Sequence, residues 1–189
     1  RLLKWIKKGK RLISVTAPVK CGKRIIKQVI GNEVLWNELG LEYAQKFLVT
    51  GLVRIDTADQ VEELVEIYGF SISRGTPFSK SSTIPKKHQF TPEQLEELVR
   101  SNPDKRFLVC FDETDFGTAV DGRIGRLILL FKEAKNLDVV FFSATPQELE
   151  HSQISDREDF KSMKYVPTKD YRGAEWFLAN GKVVDLKLT

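Results

Sequence analysis

Leu12-Ile13-Ser14-Val15-Thr16-Ala17-Pro18-Val19-Lys20-Cys21-Gly22-Lys23-Arg24, running on into Ile25-Ile26-Lys27-Gln28-Val29-Ile30, is the stretch on which the fold turns. Leu12–Thr16 is a short apolar run of strand type, Pro18 and Gly22 punctuate it, and the residues after Arg24 read as helix. A strand that turns through glycine into a helix N-terminus makes an anion cradle: backbone N–H groups and the helix dipole point at the bound charge, and Lys23 reaches it. The usual phosphate-loop pattern is GxxxxGK[ST], and this loop departs from it twice. Ala17 stands at the first glycine, and Arg24 stands where a Ser or Thr hydroxyl would hold magnesium. Taken alone, the segment reads more simply as a basic turn.

Outward from this loop, short β-rich runs alternate with helical patterns, the signature of βαβ units around a parallel sheet. Beyond Leu12–Thr16 the strands are Phe47–Val53, Phe70–Ser73, Arg106–Phe111 and Asp138–Ser143, most of them continuously apolar, as in strands covered on both faces. Val61, Leu64, Val65 and Tyr68 recur at helical spacing, as do Leu95, Leu98 and Val99. Thr91 is placed to cap the latter helix, with Pro92 at its first position and Gln94 completing a capping box. A third helix is expected from Ile124 to Ala134. The stretch Ser71–Phe90 is rich in Ser, Thr and Pro, carries Arg74, Lys80, Lys86 and Lys87 and no acid, and reads as a long basic loop. In the tail, Tyr171, Trp176 and Phe177 suggest a helix packed on the sheet, and Lys182–Leu188 a further strand. No repeat or linker divides the 189 residues, so one domain is expected over 1–189.

Charge is unevenly distributed. Residues 1–32 hold ten of the 30 basic side chains and no acid, whereas the remainder holds 20 against all 26 acids. A polyanion-facing edge on an acidic body fits this polarity, and so does a solvated basic helix. Cys21 and Cys110 are too far apart in sequence to suggest a zinc module or disulfide scaffold, which points to a reducing intracellular setting, cytoplasm or nucleus, a host cell's included were the protein viral. Cys21, flanked by Lys20 and Lys23 at an expected helix N-terminus, has the surroundings of a thiolate. Cys110 reads as core. No apolar run approaches the roughly 20 residues of a membrane helix, so no membrane partner is expected. A chain beginning at Arg1 suggests a fragment of a longer polypeptide.

Two further strand ends carry chemistry. Arg106–Phe111 delivers Asp112-Glu113-Thr114-Asp115, and Val139-Val140-Phe141-Phe142 runs into Ser143-Ala144-Thr145. A buried parallel strand ending in a carboxylate presents it at the crevice where ligands sit. Asp112 could hold Mg²⁺ and Glu113 could polarise an attacking water; an acidic turn capping the next element is the plainer alternative. The Ser and Thr hydroxyls at the third strand end could bond the acidic site.

In this order and spacing the chain resembles the first RecA-like domain of superfamily 2 helicases and translocases, the DEAD/DExH group, over roughly residues 10–150, with 151–189 as an extension. Ala17, Gly22 and Lys23 match its motif I, AxxGxGKT; Asp112, Glu113 and Asp115 match DExD; Ser143, Ala144 and Thr145 match SAT. Thr91-Pro92-Glu93-Gln94-Leu95 looks like motif Ib, TPxxL, and a fainter motif Ia involves Gln60, Thr50, Gly51 and Arg54.

The resemblance implies an α/β, RecA-like P-loop NTPase domain with a mainly parallel central sheet flanked by helices. It implies ATP and Mg²⁺ as cofactors, cradled by Ala17, Pro18, Val19, Lys20, Cys21, Gly22, Lys23 and Arg24, with Lys23, Asp112 and Glu113 as the catalytic set. Asp112 would hold the metal, and Asp115, Ser143, Ala144 and Thr145 would couple nucleotide state to a grip on DNA or RNA. Arg54, Arg74, Lys80, Lys86, Lys87 and Thr91 would contact the nucleic-acid backbone. A second RecA-like domain would supply the arginine finger, worth about 10³–10⁵ in rate. Lys20 stands at a usual glycine and Arg24 offers no oxygen to a metal, so a degenerate module that binds nucleic acid or protein without turnover is the alternative. A packaging-type ATPase is another, since it shares the loop, the acidic strand end and the coupling segment.

Overall fold

The chain forms an α/β structure on a parallel sheet flanked by helices, seven-stranded and all-parallel among the described residues, as the alternation of apolar runs predicts. The computed structural model describes residues 2–17, 30–50, 63–74, 77–78, 80, 82, 84–112, 127, 130, 133–143, 156–166 and 179–180. Within them lie helices α1 (Leu2–Lys7), α2 (Glu33–Glu38) and α3 (Pro92–Ser101) and strands β1 (Leu12–Thr16), β2 (Gln45–Thr50), β3 (Phe70–Arg74), β4 (Gln89–Phe90), β5 (Phe107–Asp112), β6 (Leu137–Ser143) and β7 (Phe160–Lys164). Across the sheet the order is β4-β3-β2-β5-β6-β1-β7.

Strand alternation divides the core in two. Ile13, Val15, Leu48, Phe70, Ile72, Leu108, Cys110, Val140 and Phe142 face one side, where they meet α1, Ile30, Trp36, Leu64 and Val65. Leu12, Phe47, Val49, Phe107, Val109, Phe111, Val139 and Phe141 face the other, against Leu95 and Val99 of α3 and against Leu127 and Leu130. The division follows from chain direction. Connections from β1 to β2 and from β2 to β3 run toward the β4 edge, and those from β4 to β5 and from β5 to β6 run back. Right-handed crossovers place oppositely directed connections on opposite faces. Phe111 and Phe141 stack at 5.0 Å between ring centroids, and replacing a buried phenylalanine of this kind by alanine costs about 3–5 kcal/mol.

The amino edge of the sheet is closed by polar contacts. Tyr43 donates to Asp138 Oδ2 at 2.6 Å, and Arg106 grips both oxygens of Asp138 at 2.6 and 3.1 Å. Burial, and then the neighbouring Asp138 charge, push the Tyr43 phenol far above its usual range, so it stays a donor. Nearby, the buried Lys46 ammonium donates to the Gly31 carbonyl at 2.9 Å. Gly69 leads into β3 at φ +66°, a left-handed geometry that lets its N–H close the preceding helical turn on Val65.

Sequence expectations and structure differ at the sheet's two margins. The supposed loop Ser71–Phe90 begins inside β3 and ends in β4, because Phe70 and Ile72 are buried while the alternating Ser71 and Ser73 are small enough to be buried as well. Residues 151–189 are not merely an extension: β7 pairs with β1 from Leu12↔Phe160 to Thr16↔Lys164. Its sequence, Phe-Lys-Ser-Met-Lys, lacks the apolar signature because it is an edge strand, half exposed and carrying lysines that discourage further pairing. Helix α2 has no counterpart in the expected elements. The helical positions Leu64, Val65, Leu127 and Leu130 agree with the expected periodicity. Trp5 packs half-buried against the first core face, as a core tryptophan on a helix should. The expected tail helix and the strand Lys182–Leu188 lie outside the described residues.

An ion cluster fastens β7 to the start of β1. Arg11 donates to Asp159 Oδ2 at 2.7 Å, and Arg157 bonds both Asp159 oxygens at 2.8 and 3.0 Å. The Arg157 hydrogen bond, then that of Arg11, hold the Asp159 carboxyl below the ordinary aspartate range against the opposing effect of burial. A carboxyl with a depressed folded-state pKa stabilises above its unfolded pKa and loses that contribution as pH falls through the folded value. Stability should therefore drop between about pH 5 and the folded pKa. Asp159→Asn should be less stable than the parent at pH 7 and should flatten that part of the profile, as read by urea unfolding across the pH range.

Candidate functional site at the carboxyl edge of the sheet

Because every strand runs the same way, all carboxyl ends share one edge. The register is explicit: Thr16 pairs with Ser143, Asp112 with Phe142, Thr50 with Asp112, and Thr50 with Arg74. The end of the strand preceding the presumed phosphate loop and the carboxylate-bearing end of β5 thus flank β6, two strand spacings or about 10 Å apart. Between them β6 delivers Ser143. Ala17, the first residue beyond β1, is fully buried, and the Thr16 carbonyl accepts from the Tyr165 N–H at 2.8 Å, anchoring the loop's point of departure.

Of the sequence-derived site, this edge brings together Ala17, Asp112 and the Ser143 backbone. Pro18, Val19, Lys20, Cys21, Gly22, Lys23, Arg24, Arg54, Glu113, Asp115, Ala144 and Thr145 lie outside the described residues, as do Gly51 and Gln60 of the fainter motif. Asp112 is partly exposed at the end of an otherwise buried strand. Among the described residues no cluster of three His, Cys, Asp or Glu side chains could cage a metal. One carboxylate at a strand end nevertheless fits magnesium, which keeps several waters and takes one or two carboxylates together with substrate phosphates. It does not fit a structural zinc site.

A second feature opens farther along the same edge, beyond β2. Arg74, Pro77, Phe78, Lys86, Gln89, Phe90, Thr91 and Gln94 line a pocket of about 410 Å³. It lies two strand spacings from β5 and four from β1, roughly 10 and 20 Å along the sheet. Thr91 caps α3: its hydroxyl accepts from the Gln94 N–H at 3.2 Å, and its own N–H donates to Gln94 Oε1 at 2.8 Å. The Arg74 guanidinium lies over the Phe78 ring, 5.1 Å from its centroid, and burial holds its pKa below that of a free guanidinium. Phe90 meets Phe47 edge-on at 5.2 Å, tying the pocket wall to the core. Toward the amino ends of β2 and β3, Gln45 donates to Ser71 Oγ at 2.8 Å, and that hydroxyl lies 3.3 Å from His88 Nδ1. Burial, then the Lys87 charge, lower the His88 pKa and favour a neutral ring.

Of the residues assigned to nucleic acid, Arg74, Lys86 and Thr91 therefore share one pocket, whereas exposed Lys80 and Lys87 lie outside its lining. The sequence reading passed over Phe78, Gln89, Phe90 and Gln94 as pocket walls. The available signal was aromatic residues interleaved with lysines between residues 74 and 90.

The fold defines an α/β protein built on a parallel sheet, a class in which ligands bind outside the carboxyl ends of the strands. Among the described residues no helix is long and apolar enough to cross a membrane. Comparison with models of protein families finds no match, and comparison with curated proteins finds no significant similarity.

The cap makes the pocket's geometry dependent on one hydroxyl. Thr91→Ala should destabilise the protein by about 1 kcal/mol, and Thr91→Ser should recover most of that loss, as read from urea midpoints at unchanged slope.

Proposed function

We propose that this chain is the nucleotide-binding motor half of a superfamily 2 helicase or translocase, acting on nucleic acid together with a second RecA-like domain. One observation carries the proposal: β1, β6 and β5 end side by side, so the loop holding Lys23, the segment Ser143-Ala144-Thr145 and the acidic run from Asp112 leave one edge in adjacent positions. Parallel sheets bind ligands outside the carboxyl ends of their strands.

In this proposal Lys23 holds the β- and γ-phosphates and the backbone of residues 17–24 cradles them. Asp112 is the residue placed to hold magnesium, which when bound would neutralise charge on those phosphates. Glu113 orients the attacking water and accepts its proton. Ser143 and Thr145 hydrogen-bond the acidic run and pass its state toward the pocket beyond β2. Arg74, Lys86 and the Thr91 hydroxyl would meet the nucleic-acid backbone there, with affinity that falls steeply as salt rises. Arg24 adds a cation but no metal ligand, so hydrolysis should be slow and should depend on the second domain.

Calorimetric titration with a slowly hydrolysed ATP analogue, with and without Mg²⁺, tests the nucleotide site. Magnesium-dependent binding is expected, and Lys23→Ala should weaken it beyond detection. Absence of binding to the unmodified protein would remove the motor proposal. The degenerate module, suggested by Arg24 and by the separate pocket, would take its place.

A further inference from the structure

We infer that the pocket between β3, β4 and the start of α3 receives one unstacked nucleobase of a single strand. The inference rests on the nucleic-acid role proposed above and adds to it a preference for strands whose bases are free.

The pocket's walls suit a base better than a bare phosphate. Its volume, about 410 Å³, is within the range of sites for a single small ligand. Two aromatic rings, Phe78 and Phe90, are half-buried on its wall, and Arg74 rests on the first of them. Aromatic and guanidinium planes are the surfaces on which bases stack, with little regard to sequence because every base has a π-face.

The two glutamines add polarity of both signs. Gln94 spends Oε1 on the Thr91 N–H, and its Nε2 has no partner among the described residues, so it offers a donor. Gln89 spends Nε2 on the Ile84 carbonyl at 2.6 Å, and its Oε1 remains as an acceptor. An amide donor and an amide acceptor in one slot match a base edge, which carries both, whereas phosphate needs donors only. The start of α3 is not an open anion hole either, because the capping box already uses the Gln94 and Thr91 N–H groups. Arg74 and Lys86, with no acid among the described lining residues, suit the phosphates on either side of an inserted base.

Anisotropy titration separates the alternatives. The probes are a fluorescein-labelled 12-nucleotide single strand, the same strand with abasic sites throughout, and the matching duplex, at one fixed low salt concentration. The base-bearing single strand should bind at least about tenfold tighter than either of the others. Phe78→Ala should bring it to the abasic level while leaving abasic affinity unchanged, and Phe78→Trp should restore the difference. Gln94→Glu keeps the capping acceptor but replaces the amide donor, so the ratio of base-bearing to abasic affinity should fall. That variant serves even if Phe78→Ala does not fold.

Equal binding of all three probes would overturn the base pocket and leave the nucleic-acid role standing. Binding of none would overturn both. A ratio unchanged by Phe78→Ala and by Gln94→Glu would place any base contact elsewhere and so overturn this assignment. Displacement of the strand by adenosine monophosphate at equal concentration would identify a free nucleotide as the ligand and likewise overturn it.

Discussion

Parallel pairing of β6 with both β1 and β5 is the constraint on which the other features of this protein depend. Parallel strands need crossovers, crossovers put helices on both faces, and a sheet covered twice must be apolar on both sides. Val139, Val140, Phe141 and Phe142 meet that demand in consecutive positions, each at most 1% exposed. The same pairing forces the three strand ends out along one edge. Nothing in the chemistry of Asp112 or Ser143 brings them near the loop after β1; the register does.

Polarity is then partitioned between the two edges. The amino edge is shut by Tyr43, Arg106 and Asp138, where the Tyr43 hydroxyl and the Arg106 Nε and Nη2 groups bond the two oxygens of buried Asp138. An unpaired carboxylate at such a site would cost about 1–3 kcal/mol or more, so this cluster helps fix the register. Along the carboxyl edge Asp112 is partly exposed, and the pocket beyond β2 holds two cations and two amides that, among the described residues, each use one end only. Asp112 and the pocket stand about 10 Å apart along the sheet, joined through β2, whose end pairs with both Asp112 and Arg74.

How much of this the sequence disclosed follows from burial. β1, β5 and β6 were legible because strands covered on both faces are runs of Val, Ile, Leu and Phe, and α3 because its cap is spelled out by Thr91, Pro92 and Gln94. β7 was not, since Phe160–Lys164 is an edge strand held by backbone pairing and by Asp159, and backbone pairing leaves no mark on composition. β4 is two residues long and carries no periodicity. The pocket was half legible: its cations stood out as charges, but Phe78 and Phe90 lie twelve residues apart and line one pocket only because β4 pairs with β3. The amides of Gln89 and Gln94 gain meaning only from what their other ends bind. Strand order itself, with β6 between β1 and β5, depends on long-range pairing that local pattern does not encode.

Hydrogen exchange with and without a magnesium-bound ATP analogue tests the central claim most directly, that the ends of β1, β6 and β5 form one nucleotide-facing edge. The account predicts slowed exchange at Thr16–Ala17, at Phe111–Asp112 and at Phe142–Ser143 together, with the amino-edge residues Tyr43, Arg106 and Asp138 unchanged. Protection confined to the amino edge, or protection at only one of the three strand ends, would contradict it.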